Sequence, residues 1–422
     1  MKVALLVASL LSTTAAGAVR PKASYDGHKV FRVPVADDGS NIRSVIKKLG
    51  LVTWKPPGRK GAFADIQVPP AQLDSFHDSM KGHQLITMHD DLGKSIEREG
   101  AFQAYSAGSA NRTWFESYHA YSDHVQWLSD LASRYPKMSK LVSSGNSLQG
   151  NPIPGLHIFG RSGPGKKPAV VFHGTVHARE WIASMAVEYM MSELVTNYGS
   201  DTSITAFVDK YDFYLFPIVN VDGFKHSQTV DRLWRKNLQP NPGSSCRGHD
   251  INRNWDYKWG GQGASPNPCG DDYGGEKPAD APETRALAAF LHGVKAAQGL
   301  KLYIDYHSYG QLFMTPYGYS CSARARNDNE LQSLAKGAVD AIYAVNKVKF
   351  DHGPICNIIY QATGSSVDYV ADVVGADYTF ASELRDMGEH GFILPPEQIV
   401  PSAKEAFAGA AYLLQHMNRR RR

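Results

Sequence analysis

The sequence predicts an α/β protein: a large, mixed, mostly parallel sheet between helices, preceded by a small α+β open sandwich. Three observations carry this. From residue 118 onward, short apolar runs alternate with amphipathic helical patterns, which implies strands buried on both faces. Between residues 28 and 90 the signals are shorter and follow the order βαββαβ. The chain has 422 residues, enough for one domain of about 250–300 residues with a small one beside it.

In the small unit, residues 29–35 alternate as a strand. Residues 40–49 read as a helix, with Ser40 as its N-cap and Gly50 as its stop. Residues 51–54 and 63–68 read as strands around the turn Pro56-Pro57-Gly58. A helix over 72–81 and a strand over 84–89 complete it. Residues 91–113 then read as an exposed, protease-sensitive connection, with Lys94, Arg98 and Arg112 and the small polar stretch 106–110. In the large unit, helices are predicted over 118–135, 181–198, 284–298, 329–346 and 396–417. Strands are predicted over 168–173, 213–219, 301–307 and 378–384. No internal repeat interrupts this alternation.

The N-terminus reads as a secretory signal. Met1-Lys2 is a charged start, residues 3–11 are apolar, and Ala16-Gly17-Ala18 offers small residues for cleavage. The apolar run is too short to span a bilayer, so a secreted protein without a membrane anchor is expected. Secretion permits disulfides among Cys246, Cys269, Cys321 and Cys356. Three pairings are open, and the nearest-neighbour one closes the shortest loops. Asn111-Arg112-Thr113 is the single N-glycosylation sequon.

Lys and Arg total 45 against 41 Asp and Glu, a formal charge of +4. Arg419 to Arg422 account for all of it, so the body is neutral. It offers no basic surface for nucleic acid. Gly160 to Lys167 nearly matches a phosphate loop, but Lys167 stands where Ser or Thr is required.

The chemistry collects at predicted strand ends. His177 and Glu180 lie three apart in the turn after strand 168–173, and His307 ends strand 301–307. Two imidazoles and a carboxylate make the ligand set of a catalytic zinc site. The carboxyl ends of parallel strands are where open α/β sheets place their sites. Glu383 is the single charge in the apolar run 378–384. A buried carboxylate there is either paired, with Arg385 as the obvious partner, or used as a general base. Arg179 lies between two of these residues, and Arg235 and Arg253 sit in the segments Leu233-Trp234-Arg235-Lys236-Asn237 and Asp250-Ile251-Asn252-Arg253-Asn254. Several guanidinium groups beside a metal point to an anionic substrate end, which Arg grips with paired hydrogen bonds.

His177-Ala178-Arg179-Glu180, Asn252-Arg253, His307-Ser308-Tyr309, Ile359-Tyr360-Gln361-Ala362 and Glu383-Leu384-Arg385-Asp386 together resemble the zinc carboxypeptidases of the carboxypeptidase A type, with fungal secreted members as the nearest kin. The resemblance covers residues 114–417. The N-terminal unit resembles, more loosely, that family's activation peptide.

The resemblance implies one Zn2+ held by His177, Glu180 and His307, with Asp250 orienting His177. It implies that Arg235 polarises the scissile carbonyl and that Glu383 is the base and then the proton donor. It implies that Asn252 and Arg253 clasp the substrate's terminal carboxylate, with Tyr360 closing over it. Arg179, Tyr309 and Phe392 would line outer subsites. Val367 would form the base of the side-chain pocket, with Ile355, Ile359 and Ala362 as apolar walls and a roomy position at Ala381. Cys246 would pair with Cys269, and Cys321 with Cys356.

The division that follows is a signal peptide at 1–18, an activation propeptide with its linker at 19–112, and a catalytic domain at 113–422. The partners implied are peptide and protein C-termini and an activating endopeptidase, with the enzyme itself a monomer. An apolar Val367 favours aromatic and large aliphatic C-terminal residues. Three rival readings remain at this point: preference for basic residues, a zinc- or peptide-binding module without catalysis, and a small unit that is a permanent domain.

Overall fold

The computed structural model describes residues 22–100, 102–105 and 112–417. The predicted signal peptide, the polar stretch 106–110, Asn111 and the Arg419–Arg422 tail lie outside them. Two sheets form. The small unit has four antiparallel strands in the spatial order Val52–Lys55, Phe63–Val68, Lys29–Pro34, Ile86–His89. Helices Ser40–Leu49 and Leu73–Ser79 accompany it, around a core that includes Phe31, Ile42, Ile66 and Phe76.

The large sheet has eight strands. From edge to edge they are Asp351–Pro354, Leu312–Thr315, Tyr378–Glu383, Leu300–His307, Ala169–Gly174, Asp212–Phe216, Pro152–Ile158 and Ser139–Asn146. The four central strands pair in parallel. These are the strands with near-continuous apolar runs, because helices such as Trp181–Thr196, Ile399–His416 and Pro282–Gln298 cover the sheet.

The edges were harder to foresee. The edge strand Ser139–Asn146 pairs antiparallel with Pro152–Ile158, which in turn pairs with Asp212–Phe216, and both are rich in Ser, Gly and Pro, which weaken a strand pattern. Gly155 is required there, because a Cβ would lie 2.4 Å from the Leu215 carbonyl oxygen on the neighbouring strand. Leu312–Thr315 and Asp351–Pro354 are too short to carry a pattern. The helices Thr202–Lys210 and Val221–Thr229 were also not anticipated.

Two expectations need correction. Ser40 is not the N-cap of its helix: Gly39 holds that place in a left-handed conformation, and the Asp37 and Asp38 carboxylates accept from Gly39 and Ser40 N–H. Nor is the segment after residue 90 a bare connection. Leu92–Arg98 is a helix capped by Asp91, and Glu99 is buried against Arg232 of the large unit. Phe102 and Tyr105 pack on the large core.

Glu99 and Arg232 are each at most 6 % exposed and meet through Oε1···Nη2 at 2.5 Å and Oε2···Nε at 2.6 Å. Arg232 also stacks on Trp181 at 3.6 Å and donates to the carbonyls of Arg179 and Phe392. The pair therefore fastens the small unit to the rim of the large sheet. Removing one member of such a pair leaves the other as an uncompensated buried charge. Arg232→Ala should cost about 3–5 kcal/mol, read as faster amide exchange across Leu92–Arg98. Unchanged protection would show that this pair does not hold the helix down.

Candidate metal centre

Four chain segments converge at the carboxyl ends of the central parallel strands. Ala169–Gly174 runs straight into a turn whose Thr175 adopts a positive φ of 52°. The helix Trp181–Thr196 then begins, and His177 and Glu180 occupy the turn between them. His307 and Glu383 end neighbouring strands and are register partners in the parallel ladder. Asp250 sits on a loop leading to the 3₁₀ turn Ile251–Arg253.

Among the described residues, His177, Glu180 and His307 form one trio of donors able to hold a metal, their ligand atoms all within 4.8 Å of one another and all three residues buried. His177 Nδ1 lies 2.8 Å from Glu180 Oε1 and 3.2 Å from His307 Nδ1. His307 Nδ1 lies 3.0 Å from Glu180 Oε2. The inner nitrogens of both rings thus face one carboxylate and each other. Two nitrogens and an oxygen with a further position open fit Zn2+.

The outer nitrogens are held from behind. His177 Nε2 lies 3.1 Å from Asp250 Oδ1, and Asp250 Oδ2 accepts from Arg235 Nη2 at 2.7 Å. Asp250, predicted from the sequence to orient His177, thus serves the ring and the guanidinium together. Burial alone would raise Asp250, but Arg235, His177 and Arg253 outweigh it and hold the group well below the usual carboxylate range. Burial likewise opposes ionisation of Glu180, and His177 and His307 overcome it.

Glu383 behaves differently. Burial pushes it up to about 8, and nearby Glu180 adds to this while His307 and Arg235 oppose it. Its Oε2 is buried with no hydrogen-bond partner. The salt bridge to Arg385 considered from the sequence does not form, because Arg385 pairs with Glu405 and Gln398. The carboxylate is left facing the cluster.

The other predicted residues gather around this centre. Arg253 Nε donates to the Gly263 carbonyl at 2.7 Å and Nη1 to Asn252 O at 2.8 Å, with Tyr360 Oη 3.5 Å from Nη2. Gly263 has φ +86°, and a Cβ there would fall 1.8 Å from the Gln361 carbonyl oxygen, so only glycine presents that carbonyl to Arg253. Asn252 Nδ2 lies 3.1 Å from His307 Nε2, and its Oδ1 accepts from Ser366 N–H. Val367 follows Ser366 and is 1 % exposed, while Ile355 and Ala362 are buried and Ile359 half-buried. Arg179 stacks over Phe392 at 4.2 Å, and Tyr309 meets Phe392 edge-on. The disulfides are Cys246–Cys269 and Cys321–Cys356.

Sequence reasoning missed two sets of residues. Asp305, 0 % exposed, lies behind His307. The signal was present, since Asp305 is a charge inside the apolar strand Leu300–His307 just as Glu383 is in its own. The second set belongs to the small unit. Tyr309 Oη donates to Asp65 Oδ2 at 2.6 Å, and Asp65 is gripped by Arg32 through two hydrogen bonds. Trp54 packs on Phe392. Lys55 is lowered by burial and held up by Asp65, Glu383 and other carboxylates. The small unit therefore sits over the outer side of the cluster, which no reading of its own sequence reveals.

Known proteins share this architecture. The zinc carboxypeptidase family profile matches residues 124–409, and the carboxypeptidase activation peptide profile matches residues 36–99. The chain is 48% identical over 418 residues to a metallocarboxypeptidase A-like protein of Trichophyton verrucosum, covering 97% of this chain and 98% of that protein. Its structure is similar to that of thrombin activatable fibrinolysis inhibitor, with a TM-score of 0.85 and 28% identity, covering 92% and 98% of the two chains. It is also similar to a carboxypeptidase A of Helicoverpa armigera, with a TM-score of 0.80 and 26% identity, covering 93% and 99%. The chain belongs to the zinc carboxypeptidases, a family of metal-dependent peptide hydrolases, and carries the activation peptide of their zymogens.

Proposed function

We propose that this chain is a secreted carboxypeptidase zymogen that, once activated, releases aromatic or large aliphatic residues from peptide C-termini. The observation that carries the reading is Glu383 beside the His177–Glu180–His307 trio, its Oε2 buried without a hydrogen-bond partner. Unpaired buried carboxylates are costly unless they are used.

His177, Glu180 and His307 would hold the Zn2+, which supplies Lewis acidity that acidifies water and polarises a carbonyl. Glu383 takes the proton of the attacking water and returns it to the departing amine. Burial suits it to this task, since its raised pKa makes it a competent acid after it has acted as base. Arg235, steadied by Asp250, donates to the oxygen on which negative charge develops, a contribution of about 3–4 kcal/mol.

Asn252 and Arg253 hold the terminal carboxylate, and Tyr360 closes over it. Arg253 is fixed by two backbone carbonyls, so it is ordered before substrate arrives and loses little entropy on binding. An internal peptide bond presents no carboxylate there, which restricts cleavage to the last residue. The buried Val367 offers no charge to a Lys or Arg side chain, in favour of an apolar one.

The small unit acts as the activation peptide. It lies across Tyr309 and Phe392 through Asp65 and Trp54, where upstream residues of a peptide would run. Cutting after Arg112, at the end of the linker, separates it from the catalytic domain. Fungal relatives with the same full-length organisation support secretion, and no described helix is long and apolar enough to cross a membrane.

Three outcomes test this. Hydrolysis of a blocked dipeptide ending in Phe should appear after limited trypsin treatment and vanish with a zinc chelator. Preferential cleavage of the matching Arg substrate would overturn the Val367 assignment. Glu383→Gln should lower kcat/KM by about 10²–10⁴-fold with full zinc content. Near-normal turnover would remove Glu383 as the base.

The third outcome concerns pH. Burial lowers His307, but Asp305 and Glu180 outweigh it and raise the ring well above its usual range. The metal-free ring therefore holds its proton more tightly than a free imidazole, and a metal must displace that proton. Zinc binding should release protons, and affinity should fall as pH drops, by about tenfold per displaced proton per pH unit. Calorimetry in buffers of different ionisation enthalpy measures this. PH-independent affinity would exclude a protonated His307.

A further inference from the structure

The two histidines of the trio are supported in parallel ways, by Asp250 behind His177 and by a second buried carboxylate behind His307. Asp305 is 0 % exposed, and its Oδ1 lies 3.0 Å from His307 Nε2 and 3.4 Å from His173 Nδ1. Its Oδ2 accepts from Ser366 Oγ at 2.5 Å. Oδ1 itself has no aligned hydrogen bond.

His307 Nε2 has two close neighbours, this Oδ1 and Asn252 Nδ2 at 3.1 Å. The Asn252 amide is oriented by Ser366 N–H, which donates to its Oδ1 at 2.8 Å, so the group it shows His307 is a donor. A ring that binds a metal through Nδ1 must carry its proton on Nε2. That N–H has no acceptor in Asn252 and one in Asp305.

We propose that Asp305 is the positioning residue for His307: it accepts the Nε2–H of the metal-bound ring, and through Ser366 it ties that ring to the backbone under Val367. The inference rests on Zn2+ being held by His177, Glu180 and His307. Outer carboxylates of this kind fix the tautomer and ring orientation, and losing one commonly weakens metal affinity by about 10–100-fold. The arrangement links the metal ligand, the carboxylate clasp at Asn252 and the floor of the side-chain pocket in one hydrogen-bonded chain.

The test uses the full-length zymogen. Asp305→Asn keeps an oxygen for Ser366 Oγ–H and turns a donor toward His307, while Ser366→Ala removes only the other arm. Zinc affinity by chelator competition should weaken about 10–100-fold in Asp305→Asn and stay within about twofold in Ser366→Ala. The melting temperatures of the metal-free variants should remain close to that of the metal-free parent chain. Equal zinc affinity in Asp305→Asn and the parent chain would overturn the proposal, as would a loss of thermal stability without loss of affinity.

A measurement on the unsubstituted chain covers the case in which Asp305→Asn does not fold. With Co2+ in place of Zn2+, two exchangeable, hyperfine-shifted imidazole N–H resonances protected from water should appear, one for each histidine. A single protected resonance would overturn the proposal. A parent chain that binds neither metal would instead remove the metal site on which the proposal rests.

Discussion

The structure is organised around charge compensation in a buried place. Glu180, Asp250, Asp305 and Glu383 bring four carboxyl groups to the ends of adjoining strands and loops, the first three buried and Glu383 half-buried with its Oε2 inside. Like charges held this close cannot all ionise without cations. Arg235 compensates Asp250, and the two imidazoles compensate Glu180 and Asp305. Glu383 is left with the least help, which is why its carboxyl is driven up while those of Glu180 and Asp250 are driven down. A divalent ion among the three inner donors relieves this imbalance, so the protein environment selects for metal as well as supplying ligands.

The sheet makes that geometry possible. His307 and Glu383 face the same point because their strands run parallel in register. His177 and Glu180 reach it because the next strand, Ala169–Gly174, ends in a turn into a helix. The helices on both faces bury the central strands, and the antiparallel hairpin Ser139–Asn146 with Pro152–Ile158 closes one edge. Stability and chemistry therefore share a scaffold: apolar packing holds the strands, and the strand ends hold the ligands.

The small unit meets this scaffold through polar anchors set into an apolar seam. Val30, Trp54 and Leu92 cluster with Leu233, Tyr309, Phe392 and Ile393 across the boundary. Glu99 with Arg232, Tyr25 with Asp231, and Asp65 with Tyr309 fix the orientation. Anchors at both ends of the unit, with Asp65 between them, explain how a domain of modest core keeps a defined position over the site.

Local signals in the chain were enough for much of this. The central strands, the long helices and the His177–Glu180–His307 cluster were legible because each rests largely on adjacent residues: a continuous apolar run, a 3.6-residue period, or a His and Glu three apart beside a strand end. The lone charge in its apolar run marked Glu383, and the family motifs added Asp250 and the role of Arg235. What stayed hidden depends on residues far apart in sequence. The edge strands gain their hydrogen bonds only from partners, so Ser139–Asn146 carries no pattern of its own. The helix Leu92–Arg98 read as linker because its burial comes from residues far along the chain, such as Leu233 and Phe392 over Leu92. Whether Glu383 or Glu405 takes Arg385, and which carboxylate lies behind His307, were decided by tertiary structure alone. Burial makes each such pairing exclusive, and only the folded chain determines which partner lies within reach.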